Sequence, residues 1–177
     1  YVTVTTNGVI WVDHSADERG CCEAFPVELG GRYEEKRRIA VAQEDLDPSV
    51  AGSIYTLEVG EAFVVSWEGV PHWSPFSDAS NGLNFQAALY SDGRVELRWG
   101  EGNPPPDQKV AAGIEDDLAG VAVPAGGSPF GAGGITDEGE WPRNQCRAFV
   151  PDGQGRYEQL GCPLDANHSD TARESCG

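Results

Sequence analysis

Residues 95–99 read Val-Glu-Leu-Arg-Trp, so that Val95, Leu97 and Trp99 alternate with Glu96 and Arg98, and this period of two restricts the fold more than any other feature. Apolar side chains that recur at every second position share one face only in a strand; a helix would scatter them around its axis. The same alternation runs through Gly52-Ser53-Ile54-Tyr55-Thr56-Leu57-Glu58-Val59, stops at Gly60-Glu61, and resumes over residues 62–67 with Phe63, Val65 and Trp67 on one side. Residues 84–90 and 95–99 flank Ser91-Asp92-Gly93-Arg94, a turn sequence that predicts a hairpin with a polar face toward water. Val2-Thr3-Val4-Thr5 leads into the turn dipeptide Asn7-Gly8, beyond which Val9-Ile10-Trp11-Val12 is extended again. Ile39-Ala40-Val41-Ala42 and Val110-Ala111-Ala112-Gly113-Ile114 supply further short strands.

Helices are disfavoured by composition. The chain holds 23 Gly and 12 Pro among 177 residues without a Gly-X-Y period, and both residues destabilise helix interiors. The expected fold is therefore all-β: an antiparallel β-sandwich, jelly-roll-like, with long loops and a disulfide-pinned C-terminal tail. Residues 1–120 form the sandwich in this reading. Residues 121–177 form a Gly/Pro-rich connector and a Cys-containing extension packed on it or following it, and residues 120–134 are expected to run irregularly over the surface. Residues 13–38, polar and aperiodic, read as a long loop. Trp67 and Trp99 belong to apolar strand faces and are assigned to the core.

A formal net charge of -17 repels phosphate backbones and anionic lipid, which argues against nucleic acid as a partner. The one basic cluster, Lys36-Arg37-Arg38, follows Glu34-Glu35 and reads as locally neutralised. No apolar run approaches the roughly 20 residues of a membrane span, so no membrane insertion is expected. No charged-then-apolar leader stands at Tyr1, and the chain reads as a mature or excised product.

Cys21, Cys22, Cys146, Cys162 and Cys176 include no Cys-x-x-Cys pair, which favours structural disulfides over zinc or thiol exchange. Adjacent Cys21 and Cys22 are poorly placed to bond to each other. Cys146 with Cys162 is the favoured local loop, with Cys176 reaching back to Cys21 or Cys22, or with both of those taken by the tail and one thiol left over. Asn167-His168-Ser169 is a glycosylation triplet, meaningful only in a secretory compartment. Together these signs point to a secreted, extracellular or cell-surface setting.

Taken in order, Val4-Thr5-Thr6-Asn7-Gly8, Glu44-Asp45-Leu46-Asp47-Pro48, Gly52-Ser53-Ile54-Tyr55, Phe63-Val64-Val65-Ser66-Trp67-Glu68-Gly69-Val70-Pro71, Asn84-Phe85-Gln86-Ala87-Ala88-Leu89-Tyr90-Ser91-Asp92-Gly93 and Ala112-Gly113-Ile114-Glu115 form a series of blocks. This series resembles the nidogen-like extracellular domains and related β-sandwich modules of secreted and surface proteins. The resemblance covers about residues 2–118. It implies an extracellular sandwich of a matrix, adhesion or surface protein, with no catalytic residues to carry over. The chain departs from the pattern in the Cys21-Cys22 insertion, in Ala42-Gln43 where a Phe-Trp pair is common, and after about Gly120.

Two places hold candidate sites. Glu44, Asp45 and Asp47 offer hard oxygen ligands of the kind calcium takes, the one cofactor this sequence suggests, although Asp45 and Asp47 equally suit backbone amides in a turn. Glu115-Asp116-Asp117 is a second acidic candidate, read more simply as a loop after a strand. Trp73 and Phe76, beside His72, present flat rings suited to a sugar face or a protein partner. Capping of the sandwich end is the expected arrangement for them, since exposed aromatics are the exception; the same alternatives apply to Trp141.

Catalytic signatures are poor. His14-Ser15 are only chain neighbours, and no Gly-x-Ser-x-Gly elbow, His-Glu-x-x-His helix or phosphate-binding loop is present. The sequence thus favours a non-catalytic extracellular module of a matrix, adhesion or surface-filament protein. Its partners would be other extracellular proteins or glycans, or itself in a larger assembly. The alternative is a carbohydrate-binding or hydrolytic domain of a secreted enzyme.

Overall fold

The computed structural model describes residues 1–12, 26, 29–30, 37–74, 78–116 and 121–162. The expected all-β sandwich is what it shows. The strands are β1 (Val2–Val4), β2 (Val9–Val12), β3 (Arg37–Gln43), β4 (Ser53–Val59), β5 (Ala62–Pro71), β6 (Gly82–Tyr90), β7 (Val95–Gly102), β8 (Ala111–Asp116), β9 (Val121–Pro124), β10 (Gln145–Pro151) and β11 (Tyr157–Gly161). One sheet has the order β1-β2-β3-β8-β9 and the other β11-β10-β7-β6-β5-β4, and every pairing is antiparallel. No α-helix occurs among the described residues, and no helix there is long and apolar enough to cross a membrane.

The chain passes between the sheets three times, after β3, after β7 and after β9. Residues 121–124, expected to be irregular, form β9 because Val121 and Val123 supply strand character at an open edge beside β8. β10 and β11 extend the six-stranded sheet from β7, so the described part of residues 121–162 is built into both sheets. The favoured cystine is present: Cys146 and Cys162 are joined, with Cα atoms 5.5 Å apart. Closing this 16-residue separation removes loop entropy from the unfolded chain worth about 3 kcal/mol. Cys21, Cys22, Cys176 and Asn167 lie outside the described residues.

Period two fixes which side chains meet. Ile10, Ile39 and Ile114 from one sheet face Val65, Trp67, Phe85, Ala87, Leu97, Trp99 and Phe149 from the other, all buried in a single core. Trp67 and Phe85 stack at 4.9 Å, Phe85 meets Trp141 edge-on at 6.0 Å, and Trp99 packs on Phe130 at 5.1 Å. A buried indole needs an acceptor for its N–H. Trp67 donates to the Thr5 carbonyl, Trp99 to that of Val41 and Trp141 to that of Gly100. Trp141 is therefore a core residue, and the glycine at 102 is required there, because a Cβ would approach its ring to 2.6 Å.

The polar face of β7 departs from expectation. Glu96 is buried rather than solvated, because Arg98 and the Tyr90 hydroxyl close over its carboxylate and Arg94 lies across the Tyr90 ring. Arg38 departs further: it is fully buried and its Nε donates to Glu115, 77 positions away.

Candidate functional site

The two stretches singled out in the sequence meet at one end of the sandwich. β3 runs out into Glu44-Asp45-Leu46-Asp47, and β5 runs out into His72-Trp73. Leu46, buried in the core, forms an isolated antiparallel bridge with His72. On either side of it Asp47 N–H donates to the Pro71 carbonyl (2.9 Å) and Trp73 N–H to that of Asp45 (2.6 Å). Asn7 fastens the acidic turn from a third direction: its carbonyl accepts from Glu44 N–H and its Oδ1 from Leu46 N–H. Gly8 makes this approach possible, since it has φ +70° and a Cβ there would lie 2.3 Å from the Ala42 carbonyl oxygen.

Within this junction Glu44 is 2% exposed and His72 7%. Their Oε1 and Nδ1 lie 2.8 Å apart, an ion-pair distance, whereas Oε2 of Glu44 is buried and has no hydrogen-bond partner of normal geometry among the described residues. Burial pushes the Glu44 carboxyl above its ordinary range, against the opposing hydrogen bond and charge of His72. The Asp45 carboxyl is also raised, chiefly by burial, with His72 drawing it down and Asp47 pushing it up. The enclosure of this pair keeps Glu44 from touching a solute.

Asp47 accepts from both N–H and Oγ of Ser49, which is the turn role weighed for it in the sequence. Among the described residues the carboxylates of Glu44, Asp45 and Asp47 do not converge on one point; the grouping of metal-type ligands found is Glu96, Cys146 and Cys162, and its two sulfurs are tied in the disulfide. A cystine sulfur lacks the thiolate that binds metal. Glu115, expected in a loop, lies inside β8 and is closed off by Arg38 and by Gly30 N–H, so it is an architectural residue. Asp117 and Phe76 lie outside the described residues.

Trp73 overturns the capping expectation. It is 53% exposed, with its backbone clamped by the bond to Asp45, so its ring stands at the rim of the junction instead of closing the core. The space under that end is already filled by Leu46, Val70 and Leu83, all buried. Sequence reasoning missed two contributors, Asn7 and His72. Asn7 read only as a turn former, and His72 only as the neighbour of Trp73; both act through contacts across tens of residues that no local pattern encodes. Compared with protein-family models, curated proteins and solved structures, the chain has no match.

Proposed function

We propose that this chain is a non-catalytic extracellular binding module, of the matrix, adhesion or surface-filament kind, which engages a protein or glycan through the Trp73 rim. The exposed Trp73 ring on a doubly tethered strand end carries this reading. A rigid aromatic contributes contact area at small entropic expense, and the neighbouring Asp45 carboxylate can accept from hydroxyl or amide donors. The blocks that resemble nidogen-like domains also support it, because three of them, Asn7-Gly8, Glu44-Asp45-Leu46-Asp47 and Val70-Pro71, are the segments that build this end.

One observation favours the alternative of a secreted carbohydrate-active enzyme: the raised Glu44 carboxyl next to His72 has the character of a proton donor. Its enclosure weighs against that role. A glycan array and a panel of matrix proteins, run beside a glycosidase panel, separate the two. Binding that falls at least tenfold in Trp73→Ala, without turnover, is the expected result. Turnover that Glu44→Gln abolishes would replace the binding reading with the enzymatic one.

A further inference from the structure

The six-stranded sheet ends at β11 on one side and β4 on the other, and the two edges are built differently. β11 is protected: Gln159 accepts from Gly126 N–H beyond the sheet, the Asp152–Arg156 ion pair occupies the turn before it, and the disulfide closes its far end. Among the described residues β4 has none of these devices. Its seven residues, Ser-Ile-Tyr-Thr-Leu-Glu-Val, include no Lys, Arg or Pro, pair with β5 without a register shift, and are all exposed from Tyr55 to Val59. An open, regular, apolar edge is a template for another strand.

The direction of its main-chain groups can be read from β5. Ser91 N–H donates to the Glu61 carbonyl, which therefore faces the β6 side; by alternation Phe63, Val65 and Trp67 also address β6, while Ala62, Val64 and Ser66 address β4. Their partners Val59, Leu57 and Tyr55 thus turn their N–H and C=O inward. Ile54, Thr56 and Glu58 turn theirs outward, past the sheet. On the outer face, Tyr55, Leu57 and Val59 are 47%, 42% and 53% exposed.

We infer that β4 is a homodimerisation edge, where two copies pair antiparallel about a two-fold axis through Thr56 and join their six-stranded sheets into one. This register is self-complementary. Thr56 meets Thr56 and Ile54 meets Glu58 as hydrogen-bonded pairs, so the single charge of the strand never opposes itself. Tyr55 and Leu57 meet as the closer, non-hydrogen-bonded pairs, which forms a four-residue apolar patch continuous with the half-buried Val64 beside Leu57. A basic strand would fit less well, since Glu58 is the only charge it could read. Contact along one strand is small, so the dimer is weak, with Kd between roughly 10 μM and 1 mM.

Each copy carries a formal charge of -17, so screening should strengthen the pairing, opposite to the salt response of a basic ligand. Sedimentation velocity on the intact chain, across concentration and at low and high salt, tests this. The expected result is a concentration-dependent dimer that tightens several-fold at high salt. Thr56→Pro removes the central outward N–H while sparing the bonds to β5, and Leu57→Lys places charge in the apolar patch. Each should weaken dimerisation at least tenfold with an unchanged circular dichroism spectrum. If Thr56→Pro fails to fold, Leu57→Lys decides alone. The inference is overturned by a monomer at every concentration and salt, by a dimer that folded variants leave intact or that salt weakens, or by one that exists only as a disulfide-linked band on a non-reducing gel.

Discussion

Glu115 and Glu44 are both shut away from water, and each faces a basic side chain, yet their surroundings differ. Glu115 lies within β8 with Arg38 on one oxygen and Gly30 N–H on the other, and Arg38 is further held by Gln43. Glu44 lies where β3 leaves its sheet, with His72 at one oxygen and no well-formed hydrogen bond to the second among the described residues. A carboxylate with both oxygens engaged holds strands in register, because its removal leaves a buried guanidinium without its counter-charge. A carboxylate engaged on one side near the rim can change protonation without dismantling the sheet. The difference teaches that burial alone does not identify a site; incomplete satisfaction beside exposed surface does.

The largest test of this contrast is Glu115→Ala, which leaves Arg38 buried without its carboxylate. It should lower stability by about 3–5 kcal/mol in denaturant titration, whereas Glu44→Gln should lower it by about 1 kcal/mol or less at neutral pH. Equal losses would mean that both pairs are architectural. Next in size is ligand binding: Trp73→Ala should weaken it at least tenfold yet change stability by no more than about 0.5 kcal/mol, as for an exposed side chain. A melting temperature that collapses in this variant would return Trp73 to the core.

A subtler effect concerns pH. Because burial raises the folded-state Glu44 and Asp45 carboxyls above their ordinary values, the folded chain binds more protons than the unfolded one between the ordinary carboxylate range and those raised values. Their contribution to stability is therefore lost as pH rises through that window. Glu44→Gln should flatten the descent in a series of melts from acid to neutral pH; an unchanged slope would show that Glu44 does not titrate there. The smallest expected effect is calcium. With Asp47 engaged by Ser49 and Glu44 by His72, only weak binding near Asp45 remains as a proposal, seen as a slight rise in melting temperature over a chelator control. No rise removes calcium from the account.

Much of the fold was legible in the sequence. The β6–β7 hairpin followed from strict alternation around Asp92-Gly93, and the turn is closed as such chemistry demands: Arg94 N–H donates to Asp92 Oδ1 and Gly93 has φ +88°. The β4–β5 hairpin and the core positions of Trp67 and Trp99 were equally clear. β9 was not, since a short Val-Ala-Val run among glycines becomes a strand only where β8 offers an edge. For the site, residue types flagged the acidic turn and Trp73 separately. Their meeting depends on the bridge between Leu46 and His72, and Arg38, which reads in the sequence as part of a locally neutralised cluster, pairs with the distant Glu115. Pairings across such separations are products of topology, which periodicity does not report.

The three passages between sheets have a consequence for how the molecule is made. β3 finds β8 only after the intervening four strands have been produced, and β7 waits for β10, so on a nascent chain the five-stranded sheet cannot be completed before Pro124, nor the six-stranded sheet before Gly161, has left the ribosome. Until then the lateral hydrogen-bonding groups of β3 and β7 stand open, which makes assembly slow and gives holdase-type chaperones an interval in which to act.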